Sequence, residues 1–310
     1  MADITRSEVA SLIGEEYGSY VLKSAVAGSA ALSAFPTVNM GTKTTHMPVL
    51  ATIPEASWVS DTDNTGVKST SKVTWQDKTL VAEEVAVIIP IHENTLDDAT
   101  EDVLQEIAEQ GGQAIGKVLD LAVFFGTNKP ASWTSPALLP ASVSAGQTFQ
   151  VGSKENDLYG SFLKAGGALA DAGFEPSDLV AKRSLAFSLA NLRGEDGHPI
   201  LSGGNVGQFN TTYSRNGGWD ADEAVAFVAD RERVRIGVRQ DVTVKFLDQA
   251  TLGSGANQIN LAERDMVALR FKARYAYVLG QGATSEGANK TPVAAVIPAA
   301  EDGGTEGGDE

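Results

Sequence analysis

Between Glu93 and Phe125 apolar or small residues recur at helical period: Leu96, Ala99, Val103, Leu104, Ile107, Ala108, Gly111, Ala114, Ile115, Val118, Leu119, Ala122 and Val123. One continuous helix of about thirty residues would be ~50 Å long at 1.5 Å per residue, far beyond an average globular helix. A rod of that length needs flanking elements along it, and the stripe through Leu104, Ile107, Ile115 and Leu119 is expected to be the chain's own core seam. Acidic Glu93, Asp97, Asp98, Glu101 and Asp102 fill the first turns, where the helix dipole favours negative charge. Gly111-Gly112 in the middle permits a bend or a close backbone contact.

The segment before the helix has a different texture. From Thr42 to Pro90, β-branched runs (Met47 to Ile53, Val73 to Trp75, Thr79 to Ile89) flank a polar, turn-rich centre, Asp61-Thr62-Asp63-Asn64-Thr65-Gly66. This predicts a long hairpin with a solvated tip. A two-stranded hairpin is marginal by itself in water, so it should lie on a neighbouring surface. Further upstream, Val9, Leu12, Ile13, Tyr17 and Tyr20 suit a helix from Ser7, followed by small residues as far as Ala31. These are too small to build a core, so the segment is expected to be an arm.

After prolines 130, 136 and 140 a second lobe is expected from about Phe149. Asn156 or Asp157 caps a helix with Leu158, Phe162, Ala165, Leu169 and Ala172 on its apolar face, and Gly173 ends it. Strands are expected at Leu179 to Ala181, Val225 to Ala229, Val234 to Val238 and Val242 to Phe246, with a helix at Ser184 to Leu192. From Met266 to Leu279 the pattern alternates. Val267, Leu269, Phe271, Ala273, Tyr275 and Tyr277 share one face, and Arg270, Lys272 and Arg274 the other. The tail 301–310 is acidic and Gly-rich.

Forty acidic against twenty-four basic residues give a formal charge of −16, which argues against a direct grip on phosphate backbones. The clusters Lys182-Arg183 and Arg231, Arg233, Arg235 lie beside Asp178, Asp230 and Glu232, and are expected to form ion pairs instead. Cysteine is absent, which excludes disulfides and thiolate chemistry and fits a reducing compartment. No stretch approaches the ~20 apolar residues of a membrane span, and none is expected.

No enzyme signature emerges. Asp61, Asp63 and Gly66 resemble the front of a calcium loop, but its twelfth position is Lys72 instead of a bidentate acid. Ser69 and Lys72 form S-x-x-K without partner motifs, and His46, His92 and His198 lack ligand spacing. Gly203, Gly204 and Gly207 lack the strand and the Lys of a phosphate loop. Neither cofactor nor metal is expected.

The order of several segments is similar to that of tailed-bacteriophage major capsid proteins with the HK-ninety-seven-type fold. They are Met47-Pro48-Val49-Leu50, Ala56-Ser57-Trp58-Val59, Ser71-Lys72-Val73-Thr74-Trp75, Lys78 through Glu84, Ile88-Ile89-Pro90-Ile91, Leu96-Asp97-Asp98, Val123 through Thr127, Gly194 through Ile200, and Asp265 through Arg270. The resemblance implies an α+β subunit divided into an N-terminal arm (1–39), an extended loop (40–92), a peripheral domain with a spine helix (93–148), an axial domain (149–235), returning peripheral strands (236–300) and a mobile acidic tail (301–310). It also implies a shell protein that assembles in the host cytoplasm, through pentamers and hexamers, around the phage genome. Partners would be further copies, a portal, and separate scaffold or decoration proteins; the long scaffolding segment of some members is missing, so scaffolding would come from another protein or be dispensable. Trp58, Asp61, Lys68, Lys72 and Trp75 are the expected extended-loop contacts between subunits. Some members crosslink a Lys to an Asn there, whereas Lys68 and Lys72 also suit a solvated tip. The alternative is an encapsulin-like nanocompartment shell, which uses the same fold.

Overall fold

A computed structural model describes residues 28–54, 56, 58, 70–94, 101–152, 157–193, 198, 206–253, 258–282, 284 and 290–299, except the side chains of 101–105 and 157. The expected helix from Ser7, the hairpin tip with Asp61 and Lys68, the glycines 203 and 204, and the acidic tail lie outside these residues.

Two sheets organise the subunit. The first has the order β1 (Thr37–Asn39), β9 (Val234–Leu247), β12 (Met266–Leu279) and β4 (Glu83–His92). β1 runs parallel to β9, while β9 and β4 are both antiparallel to β12. Pro90 sits in edge strand β4, where a missing backbone N–H costs no ladder bond. The second sheet has the order β5 (Thr148–Gln150), β13 (Val293–Ile297), β8 (Ala226–Ala229), β6 (Asp178–Lys182) and β7 (Asn210–Ser214). β2 (Thr44–Thr52) and β3 (Thr74–Val81) form the hairpin, and β10 (Thr251–Leu252) pairs with β11 (Ile259–Asn260).

Among the described residues the α-helices are α1 (Ala30–Ala34), the spine α2 (Glu101–Asp120), α3 (Leu138–Ser144), α4 (Asp157–Asp171) and α5 (Leu185–Ala190). The spine continues as a π-turn, Leu121–Phe125, and stops at Gly126, whose φ of +80° suits a residue without Cβ. Ile115 and Leu119 of the spine are buried in one cluster with Phe271, Tyr275 and Tyr277 of β12. Gly111 lets this contact close, because a Cβ there would stand 2.8 Å from the Phe271 ring. α4 covers the second sheet with Phe162, Ala165 and Leu169, a separate cluster with Leu179 and Val228.

Several expectations need correction. The helical stripe is narrower than the sequence implies: Ala114 is exposed and Val118 is 44% exposed, because each lies about 100° round the helix from buried Ile115 and Leu119. Ile107 is only partly buried. The hairpin expected to run to Pro90 ends at Val81, and 83–92 leaves it to become β4 beside the spine. The two strands expected at 234–246 are one strand, β9, paired to β12 across register shifts. β13, grouped with the returning strands of 236–300, instead joins the second sheet between β5 and β8. β12 alternates only from Leu269 to Tyr275: Val267, Ala268 and Leu269 are buried in succession, and after Tyr275 both faces are buried again, because Met40, Leu80 and Ala82 cover Ala276 and Val278.

Candidate intersubunit surface

The hairpin divides into two parts. Near its base, Leu80 and Val49 are buried, and Gly282 comes so close that a Cβ on it would lie 3.0 Å from Val49. The base is thus part of the subunit's own packing, although the sequence suggested a purely external role. Beyond it, Trp75 pairs across the ladder with Leu50 and remains 66% exposed. Val73 and Lys72 are exposed, and Trp58 is fully so. Of the five expected contact residues, Trp58, Lys72 and Trp75 therefore face solvent in the single subunit. An exposed indole is a large apolar surface left uncovered, and such side chains serve as anchors at protein interfaces.

Other exposed apolar groups lie on the second lobe. Phe187 on α5 is 70% exposed, and Leu163 on α4 is also uncovered. Both were missed, yet their phase carries the signal: Leu185 and Leu189 are buried at i and i+4, which turns Phe187 to the opposite side.

Residues 29–31 and Asn216, just after β7, meet at Asp120, which is fully buried at the end of the spine. Its Oδ1 accepts from Ser29 Oγ at 2.7 Å and from the Ala31 amide at 3.0 Å. Its Oδ2 accepts from the Ala30 amide at 3.0 Å and from Asn216 Nδ2 at 2.8 Å. Burial pushes this carboxyl above the usual carboxylate range, while the bonds from Ser29, Ala31, Ala30 and Asn216 pull the other way. One turn further on, the π-turn presents Phe124 to Phe35, Trp219 and Phe227, the last stacked at 5.6 Å. No local pattern announces this junction, since Asp120 reads as a polar residue at the end of a helix.

The ion pairs expected in the second lobe form in part. Arg235 bonds Glu232 at 2.7 Å, and Arg233 lies 3.9 Å from Asp230. Arg183 instead stacks over Tyr213, and Asp178 is held by Ser177 Oγ at 2.7 Å. His46 pairs with Asp77 on the exposed hairpin. Among the described residues no group of three or more His, Asp or Glu side chains gathers as metal ligands, and no helix is long and apolar enough to cross a membrane.

This architecture has relatives among solved structures and known families. The model of the phage capsid family matches residues 23–282. A chain from Mycobacterium phage Adephagia is 60% identical with a TM-score of 0.80, covering 96% of this chain and 98% of its own length. One from Microbacterium phage Oxtober96 is 43% identical with a TM-score of 0.77, covering 87% and 91%. The capsid of a native GTA particle, at 15% identity and a TM-score of 0.60 over 87% and 90%, shares the fold alone. No functionally curated protein matches the chain. These likenesses do not favour the nanocompartment alternative. The chain belongs to the phage capsid family, as a major capsid protein of the HK-ninety-seven-type fold.

Proposed function

We propose that this subunit assembles with its own copies through rings of five and six into a closed head shell, enclosing the genome without a specific grip on it and catalysing no reaction. In this reading the spine and the first sheet are the peripheral domain, and the lobe of the second sheet is the axial domain. A portal and separate scaffold or decoration proteins complete the particle, which forms in the host cytoplasm as a part of the virion. The observation that carries the proposal is the distal hairpin, where Trp58, Val73 and Trp75 stay exposed although the base of the same hairpin is buried. Apolar groups held out on a projecting element are stable in a shell where a neighbouring copy covers them.

The test is electron microscopy of the expressed full-length protein, alone and with the other head proteins of its phage, beside fluorescence anisotropy with a short duplex. Closed particles and no measurable duplex binding at physiological salt are expected. Subunits that never associate, or micromolar duplex affinity that falls steeply with salt, would overturn the proposal.

A further inference from the structure

The first sheet has a second face, turned away from the spine, that the fold leaves half covered. At one end Met40, Leu80 and Ala82 from around the hairpin base close over Ala276 and Val278. Beyond it, as far as buried Ala268, the face is basic and partly exposed. Arg270, Lys272 and Arg274 project from it in alternation with buried Phe271, Ala273 and Tyr275. Lys245 stands directly across the ladder from Arg270, a like-charge pair of the kind that destabilises a sheet. Glu84 bonds Lys272 at 2.6 Å and is the one carboxylate paired with this row among the described residues. Asp241 is exposed in the nearby register shift, where its charge acts on Tyr275, and His92 is exposed further along β4. Four cations against one bonded anion thus occupy one face of a chain whose formal charge is −16. The Nε–H groups of Arg270 and Arg274 are buried without a hydrogen-bond partner among the described residues.

We infer that this face docks an acidic surface of a second copy of the chain, an inference that rests on the shell-forming role proposed above. Charge complementarity selects the occupant, because every copy carries sixteen more acidic than basic side chains. The apolar residues in the patch favour protein over nucleic acid. Ile88 lies across from Arg270, Ala86 across from Lys272, and both are exposed. A protein partner buries such residues together with the charges, whereas a phosphate backbone gives them nothing to contact. The planar arginine forks take carboxylates through their terminal N–H groups.

The test compares full-length wild type with Arg270→Glu/Arg274→Glu and, separately, with Lys245→Glu, whose side chain is exposed so that the fold tolerates reversal. Circular dichroism establishes the subunit fold, and sedimentation with electron microscopy follows assembly. Folded variants with particle yield reduced by at least about tenfold, the scale of one lost charge pair, support the inference. So does wild-type assembly that slows between 0.1 and 1 M salt as the Debye length contracts from ~10 to ~3 Å, with a flatter response for Lys245→Glu. Wild-type yield from Lys245→Glu overturns it, whether or not the double variant folds. Duplex binding by the wild type that Lys245→Glu abolishes also overturns it, and assigns the face to nucleic acid. Failure of the wild type to form particles under any condition would instead refute the shell-forming role itself.

Discussion

The root of the arm and the distal hairpin make opposite use of their large and polar side chains. Ser29, Ala30, Ala31, Ala34 and Phe35 are buried against the spine: Ser29 and two backbone amides bond Asp120, and Phe35 packs against Phe124. Beyond Leu50 the hairpin presents Trp75 and Trp58 to water, and its ladder is the cross-strand pairing of β2 with β3. The first arrangement is complete within one subunit, since each Asp120 oxygen already has two donors. The second makes apolar surface available to something outside. The difference separates residues that hold the subunit together from residues left over for assembly.

Four experiments bear on that contrast. The largest effect is expected from deleting 61–72, the segment that the sequence predicts as the hairpin tip. The subunit should remain folded, by circular dichroism and a cooperative melt, while shells disappear from electron micrographs. Normal particles would remove the hairpin from assembly altogether. Ile115→Ala acts on the other side of the contrast, in the seam between spine and β12. Chemical denaturation should register a loss of about 2–5 kcal/mol, as for other buried aliphatic truncations. A stability change near zero would place Ile115 outside the subunit's own core.

Asp120→Asn is smaller in volume change but chemically sharp. Whichever way the amide turns, its NH₂ faces two donors, either Ser29 Oγ and the Ala31 amide or the Ala30 amide and Asn216. Leaving such buried groups unsatisfied costs about 1–3 kcal/mol, readable as a lower Tm. A shift below about 0.5 kcal/mol would show that the junction tolerates loss of the charge. Trp75→Ala should change subunit stability least, within about 0.5 kcal/mol, because the indole is largely in solvent. It should still lower particle yield measured by sedimentation. A marked loss of subunit stability would mean that Trp75 belongs with the hairpin base.

Local periodicity carried much of the fold. The 3.6-residue stripe located the spine and the period of two located β12, since a side chain's direction follows from backbone geometry one residue at a time. Gly173 ended α4 where expected, with φ of +79°, because only a residue without Cβ adopts that turn freely. The hairpin was legible as two β-branched runs around a polar centre, but its end was not. Nothing in residues 79–89 says that the chain changes partner at Ala82, from β2 to β12.

Which strands meet was a matter of tertiary structure. β13 crosses into the second sheet, and β1 pairs in parallel with a strand nearly two hundred residues away, because such pairings close long loops and leave no short-range pattern. The Asp120 junction was hidden for the same reason: its donors come from residues 29–31 and from Asn216, far apart in the chain. The basic row on β12 lies between these cases. Alternation alone placed Arg270, Lys272 and Arg274 on one face, while only the ladder set Lys245 beside them and only the hairpin base decided which end was covered. A strand's own sequence determines where its side chains point, and the packing of distant segments determines what they meet.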